Sequence, residues 1–375
     1  PLYCNREGNN LQSGIVTSLM LAPDTSKVVD AASAAQAPVG CFECDEMYTK
    51  YVLPRLRPHY FMLLNLFRDQ LDRFGEIDRI QATIAEALAK TPETTFVFNG
   101  DDPLCAAIAD RIPNKSLAFG IASDMGLSAD RISDSRFCQK CGGALEYDYV
   151  HYGQLGAYRC PDCGWARPEL AFAATNVRLE EDGFVFDIDG RSVHTGHTGA
   201  YMVYNVLAAY AISKLSSIVS FENYQAAVRE YHPTNGRLQT FDLGERKVMT
   251  NLAKNPTGFN QNIRIVLNEC GRVLALFVND NDADGHDVSW FWDIDFERWS
   301  QIEGLRAFVG GTRANDMQVR LKYAGIQAEI VDNVADVLAA TNADDGKVYI
   351  IANYTALPAV RRELEGLEAA AKGEE

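Results

Sequence analysis

The chain has 375 residues, 47% hydrophobic and 23% charged, which is long enough for two or three folded domains of ordinary soluble composition. Its 35 Lys and Arg stand against 51 Asp and Glu, a net charge of −16 that excludes a general nucleic-acid-binding surface and suits a protein that gathers metal ions or cationic groups. The sequence given shows no signal-peptide pattern and no run of eighteen apolar residues, and the nine cysteines read as reduced, so a cytoplasmic protein is expected.

The chain opens at Pro1 without an initiator methionine, inside a strand-and-loop pattern, which reads as an N-terminal truncation. A short strand is predicted over 39–43. It carries Cys41-Phe-Glu-Cys44, a Cys-x2-Cys pair that lacks a following glycine. A second strand, over 60–66, leads into a charged run at 68–75. Helical spacing spans 77–89, with Ile80, Ile84 and Leu88 on one stripe. A strand over 95–98 ends in Asn99-Gly-Asp-Asp-Pro103, and a helix over 105–112 and a strand over 116–119 follow. Strands alternating with helices predict an α/β fold with a parallel, doubly wound sheet. Glu43, Asp45 and Glu46, then Asn65, Asp69 and Asp72, then Asn99, Asp101 and Asp102 gather at three successive strand ends. Ligands of an open parallel sheet bind outside the carboxyl ends of its strands, so this collection suits Mg²⁺ held with a nucleotide phosphate. Taken singly, each residue also suits a helix N-cap or a solvated loop.

A four-cysteine insert at 132–168 then interrupts the alternation. Cys138-Gln-Lys-Cys141 and Cys160-Pro-Asp-Cys163 are two Cys-x2-Cys pairs, each followed by glycine (Gly142, Gly164) and separated by eighteen residues. That spacing suits a tetrahedral Zn²⁺ site with four thiolate ligands, a structural zinc ribbon. The stretch 145–152 alternates like a strand, and Gly153 and Gly156 offer a turn. A ribbon of this size cannot bury enough core to fold alone, so metal binding would supply its folding energy.

Beyond the insert, β-rich segments are predicted at 171–179 and 183–188, and helices at 204–215 and 224–231. The turn chemistry of His232-Pro-Thr-Asn-Gly-Arg237 marks a domain boundary, giving domains 1–234 and 235–375. The second is again α/β, with strands at 273–278, 307–309, 328–331 and 348–351 and helices at 316–323 and 333–341. The small, charged tail at 369–375 is expected to fray.

Several runs carry a family resemblance. The segment from Asn65 to Glu76 and Asn99-Gly-Asp-Asp-Pro103 resemble the central ATPase domain of the Mur ligases. The run from Gly199 to Ala209 is similar to that family's Asn-x-x-Asn-x-x-Ala-Ala helix, with Met202 where Asn is usual, and Asn235-Gly-Arg237 resembles its entry to a Rossmann-like C-terminal domain. Together with the inserted ribbon, the segments from Leu252 to Asn260 and from Asn279 to Trp290 resemble the MurT branch of the family, over nearly the whole chain. MurT-type proteins are the ligase-like subunits of lipid II isoglutaminyl synthase. The resemblance implies ATP-dependent amidation of the D-glutamate α-carboxyl in the lipid II stem peptide, through an acyl phosphate. Ammonia would come from a GatD-type glutaminase partner, at the inner membrane face.

The resemblance also implies roles. Glu43 matches the family's magnesium-binding glutamate, Asn65 and Asp69 its following loop, and Asn99, Asp101 and Asp102 the nucleotide-base side. Arg237 and Lys254 are the cationic candidates near the phosphates. Gln70 stands where many Mur ligases carry a metal-ligating histidine, and the helix after Gly75 has no lysine before Lys90, so the carboxylated lysine of many Mur ligases is not expected. The phosphate-cradling P-loop is missing, and the resemblance places it upstream of Asn5, so this stretch of chain is not expected to turn over ATP. Asp287, in Asp284-Gly-His-Asp287, is the aspartate expected to complete the partner's Cys–His pair; His286 beside it has no such role in the family. The alternative is a non-catalytic, zinc-containing scaffold subunit with a vestigial ATPase site. An ordinary amino-acid-adding Mur ligase fits the ribbon and Asp287 less well.

Overall fold

The computed structural model describes residues 2–5, 8–21, 39–68 and 77–373. Its two large sheets lie in sequence on either side of 232–237. The first has six strands in the order Arg191–Thr195, Gly183–Ile188, Leu170–Glu180, Ser116–Ile121, Thr95–Asn99, Tyr60–Leu63. The last four run parallel, and the first two fold back as antiparallel neighbours. Thr95–Asn99 is a nearly continuous apolar run because both faces of its sheet are covered. Phe96 and Phe98 enter one core with Ile84 and Leu88 of the helix Ile77–Ala89, while Val97 enters the other with Val203 and Leu207 of the helix Tyr201–Ser216. Ile84 and Leu88 are fully buried, each contributing about 1.5–3 kcal/mol of apolar burial.

The expected strand at 39–43 shrinks to Val39–Gly40, which pairs with Leu2–Tyr3. A side chain displaces the rest of the ladder. Asn5 Nδ2 donates to the Glu43 carbonyl (2.8 Å), and Asn5 Oδ1 accepts from the Glu43 N–H (2.9 Å). Arg191–Thr195, too polar to stand out in the sequence, forms the far edge of the large sheet.

Ser116–Ile121 and Leu170–Glu180 are parallel neighbours, so a crossover must join them. The cysteine insert is part of that crossover. Its hairpin, Glu146–Tyr152 against Leu155–Arg159, sends Tyr152 and Leu155 into the core shared with Tyr201–Ser216. Tyr158 and Trp165 pack into the opposite core, beside Phe96 and Phe98.

The second sheet runs Gln239–Asp242, Lys247–Leu252, Val348–Ala352, Val273–Phe277, Arg306–Gly310, Ala328–Ile330, all parallel except the first. Helices on both faces make it doubly wound, as expected. The sequence did not reveal the strands Gln239–Asp242 and Lys247–Leu252 or the helix Pro256–Asn268. The helix Leu357–Lys372 seats Leu357, Val360 and Leu364 on the sheet and extends into the tail as far as Gly373, whose φ of +70° suits a C-terminal cap; residues 374 and 375 lie outside the described residues.

The stretch leading into the ribbon ties the two modules together. Asp130 Oδ1 accepts from Arg264 Nη2 (2.7 Å), a pair only 1% and 8% exposed, and Asp130 Oδ2 accepts from the N–H of Gly153 at the hairpin tip (2.8 Å). Arg68 bridges Asp134 (2.5 Å) and Asp293 (3.2 Å). Among the described residues, no helix is long and apolar enough to cross a membrane.

Candidate active site and metal centre

Each Cys-x2-Cys pair forms a tight knuckle closed by its glycine. Gly142 and Gly164 have φ of +77° and +75°, which L-residues rarely adopt, and their N–H groups donate to the carbonyls of Cys138 and Cys160 (2.9 and 3.0 Å). The knuckles face each other. The Sγ atoms of Cys138 and Cys163 lie 3.6 Å apart and those of Cys141 and Cys160 3.5 Å, and all four sulfurs fall within 4.8 Å of one another. A tetrahedral ion about 2.3 Å from each sulfur needs S···S separations near these values. Cys138 and Cys160 are buried, and Cys141 and Cys163 are exposed.

The strand ends are organised differently from one another. Asn99, Asp101 and Asp102 are all fully buried. Asp101 Oδ1 accepts from Arg167 Nη1 (3.0 Å), and Oδ2 accepts from the Tyr204 hydroxyl (2.7 Å) and the Ile121 N–H (2.8 Å). Gly120 makes this possible, since a Cβ there would lie 2.5 Å from Asp101 Oδ1. Asp102 is the N-cap of the helix Pro103–Ala109, with Oδ1 accepting from the Leu104 N–H (3.0 Å) and Gln154 Nε2 (3.3 Å). Its Oδ2 accepts from the Leu66 N–H (2.8 Å), which draws the half-buried Asn65 loop to the turn. Burial pushes both carboxyls up, each to about 6, against the pull of these donors. Both carboxylates are thus committed to internal donors. Asn99 differs: its Oδ1 accepts from the Asp101 N–H (3.0 Å), while its Nδ2 is buried without a partner among the described residues.

Glu43 is exposed, with Oε1 accepting from Asn10 Nδ2 (3.2 Å), and no hydrogen bond joins it to the Asn99–Asp102 turn among the described residues. Arg237 is exposed in the hinge, where Asn235, Gly236 and Leu238 all take positive φ. Lys254 is half-buried between Lys247–Leu252 and Pro256–Asn268. Asp69 and Gln70 lie outside the described residues.

Asp287 sits on the loop that follows Val273–Phe277. The loop is anchored by Asp284, whose Oδ1 accepts from the Thr355 N–H (2.9 Å) and whose Oδ2 accepts from the Thr355 hydroxyl. Gly285, at φ +81°, turns the chain outward. Asp287 is then exposed, and the Ser289 N–H donating to Oδ1 (2.8 Å) holds its carboxyl below the usual range. An ionised, oriented carboxylate faces solvent.

His151, on the inner side of the ribbon hairpin, carried no signal in the sequence. It is fully buried against the rings of Tyr149 and Tyr204, and burial lowers its imidazole from the ordinary 6.5 to about 4. A depressed folded-state value means that the unfolded chain takes up the proton first. The contribution of His151 to stability is therefore complete above pH 6.5 and lost as pH falls toward 4. The loss is expected to reach about 3 kcal/mol. Unfolding free energies of wild type and His151→Phe, compared over that range, should converge or cross as pH falls; parallel curves would refute the assignment.

Two α/β modules joined by a short hinge, with buried polar turns at the strand ends of the first, define a Mur ligase-type fold. The chain aligns over its full length with MurF from Acinetobacter baumannii (TM-score 0.67, 15% identity, 71% of that chain). Over 88% of its length it aligns with a pseudomurein peptide ligase type C from Methanothermus fervidus (TM-score 0.61, 17% identity, 68% of that chain). Residues 35–213 match the Mur ligase middle domain, and residues 252–357 match the MurT ligase C-terminal domain. The chain is 33% identical over 361 residues to the lipid II isoglutaminyl synthase (glutamine-hydrolyzing) subunit MurT of Streptococcus pneumoniae, covering 94% of this chain and 78% of that protein. It is 31% identical over 365 residues to the Staphylococcus aureus protein of the same name, covering 96% and 80%. The chain belongs to the MurT family of ligase subunits.

Proposed function

We propose that this chain is the ligase subunit that converts the D-glutamate α-carboxyl of lipid II to D-isoglutamine, at the cytoplasmic face of the membrane and in complex with a GatD-type glutaminase. The observation that carries this reading is Asp287. It is a charged, braced and exposed carboxylate on the module that matches the MurT C-terminal domain, held among the described residues by Ser289. A carboxylate in that state suits a histidine on a second protein, orienting it and stabilising its imidazolium form.

The ligase chemistry follows from the poor electrophilicity of a carboxylate. One carboxyl oxygen attacks the γ-phosphorus of ATP and ADP leaves. The nitrogen of ammonia then attacks the acyl carbon, phosphate departs, and loss of a proton leaves the amide. ATP supplies the phosphoryl group, and Mg²⁺ neutralises the charge that spreads over it. Glu43, with one carboxylate oxygen not engaged by protein among the described residues, would contribute to holding Mg²⁺. The Nδ2 of Asn99, unpartnered among the described residues, fits a donor to the nucleotide base, with Asn65 on the adjoining loop. Arg237 and Lys254 would meet phosphate. Asp101 and Asp102 would act by holding the turn. The four cysteine sulfurs would hold Zn²⁺ as a structural ion.

The test is glutamine-dependent amidation of lipid II by the full-length chain with its glutaminase, followed by mass change of the stem peptide. Amidation requiring both proteins, glutamine and ATP is expected. An unmodified peptide, in a complex that forms and hydrolyses glutamine, would favour the scaffold reading.

A further inference from the structure

The turn that carries Asn99 is gripped from the ribbon side at three points. The Gly156 N–H donates to the Asp101 carbonyl (3.0 Å). Arg167, two residues past Trp165, donates from Nη1 to Asp101 Oδ1 (3.0 Å), the Ile121 carbonyl and the Tyr149 hydroxyl (both 3.1 Å). Gln154, fully buried in the hairpin turn, donates from Nε2 to the Leu66 carbonyl (2.7 Å) and Asp102 Oδ1 (3.3 Å). Two adjacent buried carboxylates therefore draw donors from an insert that needs metal to stay folded.

We propose that the ribbon is the positioning element of the Asn99–Asp102 turn, so that metal loading of the cysteine quartet sets how tightly the chain holds an adenine nucleotide. Arg167 and Gln154 are its positioning residues. The inference rests on the nucleotide role of Asn99 given above. Asn99 Oδ1 is fixed by the Asp101 N–H, so the direction of the free Nδ2 depends on the backbone of the turn. That backbone is held by Asp101 and Asp102, and their ribbon donors are the ones that metal loss would release. The remaining donors, from Ile121, Leu66, Leu104, Cys105 and Tyr204, leave Asp101 without a cation. A hydrogen bond to a buried charge shifts a local opening equilibrium by a factor of about ten to a hundred.

Amide hydrogen exchange of the purified protein, before and after chelation of its metal, reads the grip directly. Exchange at Leu66, Ile121 and Gly156 is expected to accelerate at least about tenfold, with Val273–Phe277 unchanged. Fast exchange across 138–165 with full protection kept at Leu66 and Ile121 would overturn the proposal. ADP titration supplies the second arm. Arg167→Ala should raise the ADP Kd about tenfold with metal retained and Arg167→Lys should recover part of it, since lysine keeps the charge but loses the fork. Gln154→Leu, which keeps the volume, serves if Arg167→Ala does not fold. Unchanged ADP affinity in metal-loaded variants would refute the coupling. The titration uses the full-length protein: if that wild type binds no ADP, the nucleotide reading fails by itself, and the exchange result still decides whether the ribbon holds the turn.

Discussion

Asp287→Asn is expected to cut glutamine hydrolysis by the complex roughly 10⁴-fold, the loss that follows when a triad aspartate can no longer orient and charge-stabilise its histidine. The geometry supports a large effect from a small change. The Asp284–Thr355 brace fixes the loop backbone, so the amide variant keeps the shape of the loop and loses only the charge. Asp287 also lacks any packing role, because it is exposed, so subunit binding should survive. Glutamate release and co-purification, measured on the same preparation, separate the two effects. Normal hydrolysis by the variant complex would end the idea of a shared triad. Loss of binding together with hydrolysis would instead make Asp287 an interface contact.

Cys138→Ser combined with Cys141→Ser is expected to remove the metal, about one zinc per chain falling to none, and to destabilise the first module by on the order of 5 kcal/mol. The size of the effect comes from where the ribbon packs. Tyr158 is 2% and Trp165 8% exposed, and both belong to the core that contains Phe96, Phe98 and Ile108. Losing the knuckles loosens that core as well as the insert. Elemental analysis and denaturant unfolding check both parts. A metal-free variant as stable as wild type would show that the insert is held by packing alone.

Much of this was legible in the sequence, for identifiable reasons. The cysteine quartet was legible because thiolate ligation imposes spacing, and the glycines after each pair because the knuckle needs positive φ. Thr95–Asn99 and Val273–Phe277 were legible because strands buried on both faces are continuously apolar. Gln239–Asp242 and Arg191–Thr195 were not, since polar edge strands carry no such run. The strand-end cluster shows the limit most clearly. Asn99, Asp101 and Asp102 look alike on paper as exposed polar loop residues, yet two of them spend their carboxylates on internal donors. The residues that decide this, Arg167, Gln154 and Tyr204, are scattered through the sequence and have no pattern. Asp284 and Thr355 are likewise 71 residues apart and meet only because their strands are neighbours.

A crossover between parallel strands is usually a helix, which needs nothing beyond its own sequence to form. Here, on the zinc reading proposed above, part of that connection would depend on four reduced sulfurs and an ion. One face of the first sheet would then be fully covered only where zinc is supplied and thiols are kept from pairing. Oxidation of the exposed Cys141 and Cys163 would strike at the same point as metal starvation. The fold itself would then respond to the redox and metal status of the cell, ahead of any change in substrate or nucleotide supply.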